Sequence, residues 1–240
     1  MRILVTRPIG DAEPFADALR RAGHVPVVSP ALVFMREPGE DIAVSAYCAV
    51  LITSANAVRA LAARTRARDA RLICVGPASA AAAREQGFSK IVESKGEGAS
   101  GLAASVQEAL RPADGPLFYP SARDVSGNLQ SELQAKGFAV VREIVYRMDL
   151  ASRLSPEAET ALRQGALDAV AYFSARSVEG ALSGARGSGL EVQLQSLTAI
   201  CLSQAVETRA SAVHRRTLSA AAPVEAAMLQ AIDSARRSGL

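Results

Sequence analysis

The stretch Leu51-Ile52-Thr53-Ser54-Ala55-Asn56-Ala57-Val58-Arg59-Ala60-Leu61 decides how the chain folds. It reads as a buried strand that breaks at Thr53-Ser54 into a helix. A near-copy stands at 171–182, Ala-Tyr-Phe-Ser-Ala-Arg-Ser-Val-Glu-Gly-Ala-Leu, in which Ser174, Ala175 and Val178 answer to Ser54, Ala55 and Val58. A strand that turns into a helix through a small polar residue leaves backbone N–H groups unpaired at the turn. Together with the positive end of the helix dipole they form a seat for an anion. Two such seats point to a ligand that carries several negative groups.

Outward from this stretch, short apolar strands alternate with amphipathic helices. A strand at 2–6 ends at Thr6-Arg7-Pro8. Pro14 is expected to open a helix that stops at Gly23, and Val25–Val28 forms the next strand. Residues 31–40 read as a connection. Leu72–Val75 is a strand that breaks at Gly76-Pro77-Ala78-Ser79, and 99–110 is a helix. The pattern restarts with a strand at Leu117-Phe118-Tyr119 ending at Pro120-Ser121-Ala122-Arg123, and a helix stopping at Gly137. An extended run spans 140–146 and a polar connection 147–156. The second seat follows at 169–182, then a Gly/Ser-rich loop at 183–189, a strand at 198–202 broken at Ser203-Gln204, and a last helix begun near Pro223.

Three strand–helix units therefore occur twice, around Thr6 and Pro120, Ser54 and Ser174, Gly76 and Leu202. Alternating strands and helices give parallel sheets covered by helices on both faces. The expected class is α/β, with two similar parallel-sheet domains facing a cleft. By the repeat alone the division is a simple cut near 113. Ligands of open α/β sheets bind beyond the carboxyl ends of the strands, which collects the turns just named.

Composition narrows the function. The 240 residues are 49% hydrophobic, enough to bury a sizeable core, and no apolar run approaches the roughly 18 residues of a membrane span. A net charge of +3 suits an anionic ligand but is too small to argue for nucleic acid, and 4% aromatic content without Trp disfavours base stacking. Cys48, Cys74 and Cys201 lie in apolar runs with no C-x-x-C, as expected of reduced thiols in a cytoplasmic protein. His24 and His214 each stand alone just past a helix, the place of a surface or helix-end residue. No zinc spacing, Walker A loop or G-x-S-x-G elbow is present, so no metal is expected. Gly96-Glu97-Gly98-Ala99-Ser100-Gly101 fits G-x-G-x-x-G, but lacks the acidic partner about 20 residues on. Ser100 as a helix cap explains it adequately. What remains at the turns is hydroxyls, backbone N–H groups and the arginines Arg7, Arg123 and Arg176, the equipment of a carboxylate or phosphate site.

These residues resemble the uroporphyrinogen-III synthase family. The likeness runs through Leu-Val-Thr-Arg-Pro (4–8), Ile-Thr-Ser-Ala-Asn-Ala-Val (52–58), Val-Gly-Pro-Ala-Ser-Ala (75–80), Gly137 with Val140-Val141 and Val145-Tyr146, and Phe-Ser-Ala-Arg-Ser-Val (173–178), in the family order. The resemblance implies two α/β domains joined by a two-stranded linker, the first domain discontinuous. Residues 1–33 would join 150–240, 39–143 would form the inserted domain, and 34–38 and 144–149 would be paired linkers. It implies a cofactor-independent enzyme that removes the hydroxyl of hydroxymethylbilane as water and closes the macrocycle with inversion of the last pyrrole ring. The partner is this small polycarboxylate substrate, with no nucleic acid or membrane, and the chain is expected to be a cytoplasmic monomer.

The resemblance also implies site residues. Tyr146, matching the family's linker tyrosine, is the candidate proton donor to the leaving hydroxyl, or else a buried linker aromatic. Substrate carboxylates would be held by Thr6, Arg7, Thr53, Ser54, Ala55, Asn56, Gly76, Pro77, Ser79, Ser121, Arg123, Ser174, Ala175, Arg176, Ser177 and Ser203. The sequence departs from the family pattern at Ala55 and Ala175, where Pro is frequent, and at Leu202-Ser203-Gln204-Ala205, where Gly-Pro-Thr-Thr is. That last turn motivates an alternative, a non-catalytic tetrapyrrole- or anion-sensing protein of the same fold.

Overall fold

The computed structural model of the chain describes residues 1–96, 98–125 and 127–239. Glu97 of the G-x-G-x-x-G stretch thus lies outside the described residues. The chain divides into two compact units, one of residues 1–33 with 149–240 and one of residues 34–148. It begins in unit one with β1 (Arg2–Val5), α1 (Ile9–Arg21) and β2 (Val25–Val28), then enters unit two through β3 (Leu32–Arg36). There follow β4 (Ala49–Ile52), α2 (Ala55–Ala62), β5 (Arg71–Cys74), α3 (Pro77–Glu85), β6 (Lys90–Glu93) and α4 (Gly98–Ala109). Then come β7 (Leu117–Ala122), α5 (Leu129–Ala135) and the long β8 (Val140–Leu150), which returns the chain to unit one. Unit one is completed by α6 (Pro156–Arg163), β9 (Ala169–Tyr172), α7 (Ala175–Gly187), α8 (Glu191–Ser196), β10 (Thr198–Cys201), α9 (Gln204–Ala210), β11 (Thr217–Ser219) and α10 (Glu225–Arg237).

The sheet of unit one has the order β11-β10-β9-β1-β2, with every pair parallel. That of unit two has the order β3-β8-β7-β4-β5-β6, parallel from β8 to β6. Both faces of each sheet are covered, as side-chain alternation along one strand shows. Val50 and Ile52 pack against Val58 and Leu61 of α2, whereas Ala49 and Leu51 pack against Leu102 of α4 and Leu133 of α5. In unit one Leu4 belongs to the layer under α6, α7 and α9, and Ile3 and Val5 to the layer under α1 and α10. The division is not the simple cut near 113, because β7 pairs with β4 across that point.

Three local expectations are corrected. Helix α1 starts at Ile9 after Pro8, and Pro14 lies inside it. Pro14 is exposed, so the Gly10 carbonyl that loses its partner can turn to water. The strand expected to end at Pro120 runs on to Ala122, since beyond Phe118 the ladder of β7 is with β8 alone and an absent N–H is tolerated. The loop expected at 183–189 is helix as far as Gly187. Its glycines serve close approach. A Cβ at Gly180 would strike the Ala31 carbonyl oxygen, and one at Gly187 the Ser152 carbonyl oxygen. Gly187→Ala should therefore lower stability by roughly 1–3 kcal/mol, as overpacking does. Denaturant unfolding of the two proteins checks this.

The two histidines are buried rather than superficial. His214 donates from Nδ1 to the Leu197 carbonyl at 3.1 Å and accepts at Nε2 from the Tyr172 hydroxyl at 3.0 Å, a tautomer assigned from these partners. His24 meets the Asp233 carboxylate at 3.2 Å and the N-terminal amine at 3.5 Å. Burial holds both imidazoles below the usual 6.5, in His24 against the opposing pull of Asp233. Below pH 6.5 the unfolded chain takes up protons that the native state resists. Stability should be full above that value and decline as pH falls through it. Unfolding midpoints between pH 7.5 and 5.5 should show this slope, and His214→Gln should make it shallower.

Candidate active site

In unit two, Ser54 ends the extended segment and caps α2, its Oγ accepting from the Ala57 N–H at 3.1 Å. The same Oγ lies 2.8 Å from the Tyr146 hydroxyl. Ser54 has one proton to give, and one of its lone pairs is already engaged by Ala57. When that proton goes to Tyr146, the phenolic proton is released towards a ligand. Tyr146 is 6% exposed and packs on Phe34 with ring centroids 5.5 Å apart. Burial pushes its phenol above the usual 10, with the Ser54 hydrogen bond opposing, so it stays neutral and protonated at physiological pH.

Thr53, Ser54 and Tyr146 open onto a pocket of about 240 Å³. Its wall also holds Ala122, from an expected turn, and Tyr119 of β7, Asp124, and Gly98 and Ala99 of α4, which were not expected there. The signal was present. The second half of the G-x-G-x-x-G stretch begins α4 after β6, at the carboxyl edge of the same sheet, which brings Gly98 and Ala99 to the pocket and leaves Ser100 inside the helix rather than capping it.

The other expected residues are placed variously. Gly76 caps α3 without a side-chain bond, Pro77 is its first residue, and Ser79 is buried within it. Ala55 begins α2, while Asn56 donates to Met148 Sδ at 3.7 Å and accepts from Arg59 at 3.0 Å. Ser121 is not at a turn. It is buried in β7, donates to the Ala122 carbonyl at 3.0 Å and accepts from Arg142 Nε at 2.8 Å. Arg123 pairs with Glu37 at 2.6 Å, and Arg147 approaches the same carboxylate at 3.3 Å. The Arg123 hydrogen bond holds the Glu37 carboxyl below its usual range.

In unit one, Thr6 is fully buried and donates to the Ala171 carbonyl at 2.6 Å. Arg7 pairs with Glu225 at 2.8 Å and lies 4.4 Å from the Phe173 ring centroid. Ser174 and Ser177 form a reciprocal cap on α7, where Ala175 and Arg176 occupy the first turn. Ser203 caps α9 with no side-chain bond. Burial lifts the Cys74 and Cys201 thiols to about 12, so neither is a ready nucleophile. Among the described residues there is no cluster of His, Cys, Asp and Glu able to hold a metal ion, and no helix long and apolar enough to cross a membrane.

Fold and site together define a two-unit α/β protein with helix-start seats and, in unit two, the buried, neutral phenol of Tyr146 beside a pocket. The model of the family described as uroporphyrinogen-III synthase HemD matches residues 13–230, and the chain belongs to that family. Its members are lyase-type enzymes of haem biosynthesis. Among solved structures, the uroporphyrinogen-III synthetase of Helicobacter pylori is similar with TM-score 0.62 at 16% identity, over 98% of this chain and 99% of that one. At such identity the likeness concerns the fold. A mutant uroporphyrinogen III synthase of Thermus thermophilus matches at 20% identity with TM-score 0.47, over 99% of each chain. The wild-type enzyme of that organism also matches, at 20% identity with TM-score 0.43, over 100% of this chain and 99% of that one. No curated protein sequence matches.

The double role of Ser54 is directly testable. Ser54→Ala should cost about 0.5–2 kcal/mol through the lost cap, measured by denaturant unfolding.

Proposed function

We propose that this chain is a uroporphyrinogen-III synthase that cyclises hydroxymethylbilane with loss of water and inversion of the last pyrrole ring. The observation that carries the reading is the family match over 13–230. The hydrogen-bonded Ser54–Tyr146 pair in its pocket supports the chemistry. Nothing in the comparisons favours the sensing alternative.

The pyrrole nitrogen supplies the electron pair that expels the hydroxyl, so the protein has little acid–base work to do. A phenol kept protonated by burial donates to the departing oxygen, which leaves as water. Ser54 holds the phenolic oxygen from behind. The remaining task is to fold the chain so that the ring closes at the substituted carbon, which is positioning. In this reading the substrate's carboxylates meet the backbone N–H groups at Thr53–Asn56, Gly76–Ser79 and Ser174–Ser177, with Thr6, Arg7, Ser121, Arg123 and Ser203 shaping the surroundings. The hydroxyls of Thr6 and Ser121 are already committed within the fold, so their part is to hold the backbone. We read the protein as acting in the cytoplasm as a monomer, without nucleic acid or membrane.

Hydroxymethylbilane made in situ, with the oxidised products separated by chromatography, should give the type III isomer. Only the type I isomer at the spontaneous rate would defeat the reading. Tyr146→Phe should slow single turnover by roughly a hundredfold, the low end for a positioned general acid. Unchanged turnover would leave Tyr146 a packing residue.

A further inference from the structure

A second pocket, of about 520 Å³, opens on unit two. It is lined by Phe34, Met35 and Arg36 of β3, by Arg59 of α2 and by Gln86. Phe34 lines this pocket and Tyr146 the first, and the two rings pack together, so the aromatic pair is the wall the pockets share. Small-molecule sites usually measure about 300–1,000 Å³. The pocket at Tyr146, at about 240 Å³, is below that span. A linear chain of four rings must therefore extend out of it, and the neighbouring pocket is within reach.

The lining suits one kind of group. Alternation along the edge strand β3 places Phe34 and Arg36 on the same side. Arg59 lies one turn beyond Asn56, and its Nη1 donates to the Asn56 Oδ1 at 3.0 Å, a bond that orients the guanidinium without neutralising it. Two acidic residues of the same sheet edge are engaged elsewhere. Glu37 is held by Arg123 and Arg147, and Glu143 by Arg64. Among the described residues, neither Arg36 nor Arg59 has a carboxylate partner. Two uncompensated guanidinium groups beside an aromatic ring match a planar heterocycle carrying carboxylate arms, which offers a face to Phe34 and acids to the arginines.

Resting on the function proposed above, we propose that this pocket is the subsite for the pyrrole ring next to the one held at Tyr146, with Arg36 and Arg59 gripping its carboxylates. The test is steady-state kinetics on hydroxymethylbilane made in situ, with isomer analysis, for wild type, Arg36→Gln, Arg59→Gln and the double variant. Both side chains are exposed, so the substitutions leave the core untouched. Each single variant should raise KM about three- to tenfold, as expected for an exposed charge-assisted hydrogen bond. The type III fraction and kcat should stay at wild-type values. Arg36→Lys and Arg59→Lys, which keep the charge but lose the planar fork, should fall between. Arg21→Gln removes the same charge from unit one and should leave KM unchanged. Wild-type KM in the double variant, or an equal rise in Arg21→Gln, would overturn the subsite while leaving the proposed function standing. A wild-type protein that yields only the type I isomer would overturn that function and the subsite with it.

Discussion

The chain passes from one unit to the other twice, and a polypeptide leaving a sheet carries N–H and C=O groups that need partners. The two crossings satisfy each other. β3 pairs with β8, the Glu37 N–H reaching the Val145 carbonyl at 3.0 Å and the Ala151 N–H reaching that of Ala31 at 2.9 Å. Since 37 meets 145 and 31 meets 151, the pair runs antiparallel beside the parallel ladder from β8 to β6. β8 also carries the ladder with β7, where the register shifts between Ser121 and Ala122. That irregularity has a clear effect on side chains. Val145 and Tyr146 are neighbours, yet both are buried in the same cluster, which strict alternation forbids and a bulge permits. The phenol at the pocket exists because β8 skips a step there.

Ser54 is the second fixed point. It ends one segment, caps the next helix and holds the Tyr146 oxygen, so local folding and site geometry are a single arrangement. Its counterpart Ser174 is capped differently. There Ser177 Oγ returns to the Ser174 carbonyl at 2.6 Å and accepts from the Ser174 N–H at 3.1 Å, so the second serine completes the local circuit. The repeat in sequence is thus a repeat in backbone form, with only the first copy turned to a tyrosine.

The fold class was legible because the parallel strands are buried on both sides and read as short apolar runs between helices. The strand-to-helix turns at Ser54, Gly76, Ser174 and Ser203 could be read for the same reason, since a cap is a local event. What escaped depends on partners distant in sequence. Pro120 and Gly184 signal breaks locally, but the ladder to β8 overrides the first and close approach to Arg153 and Leu154 explains the second. Helix α6 lies past the polar connection, where no element was expected, although Ser155-Pro156 is a proper start, with Ser155 accepting from the Ala158 N–H. The site was half legible. Ser54 came from the strand-to-helix turn and Tyr146, 92 residues away, from the family likeness, while Tyr119, Asp124 and Gly98 needed the sheet order to be seen beside them.

The glycine face of α7 has a consequence for local opening. Gly180 admits Ala31, while Gly184 and Gly187 admit Arg153 and Ser152, so both chain crossings are seated on this helix where they meet unit one. The Ala151 N–H binds Ala31, and the Leu154 N–H binds Ser188 Oγ at 3.1 Å just beyond the helix end. In amide exchange these two protons belong with α7 rather than with the strand they follow. They open when that helix opens, so the root of each crossing is as durable as the core it rests on.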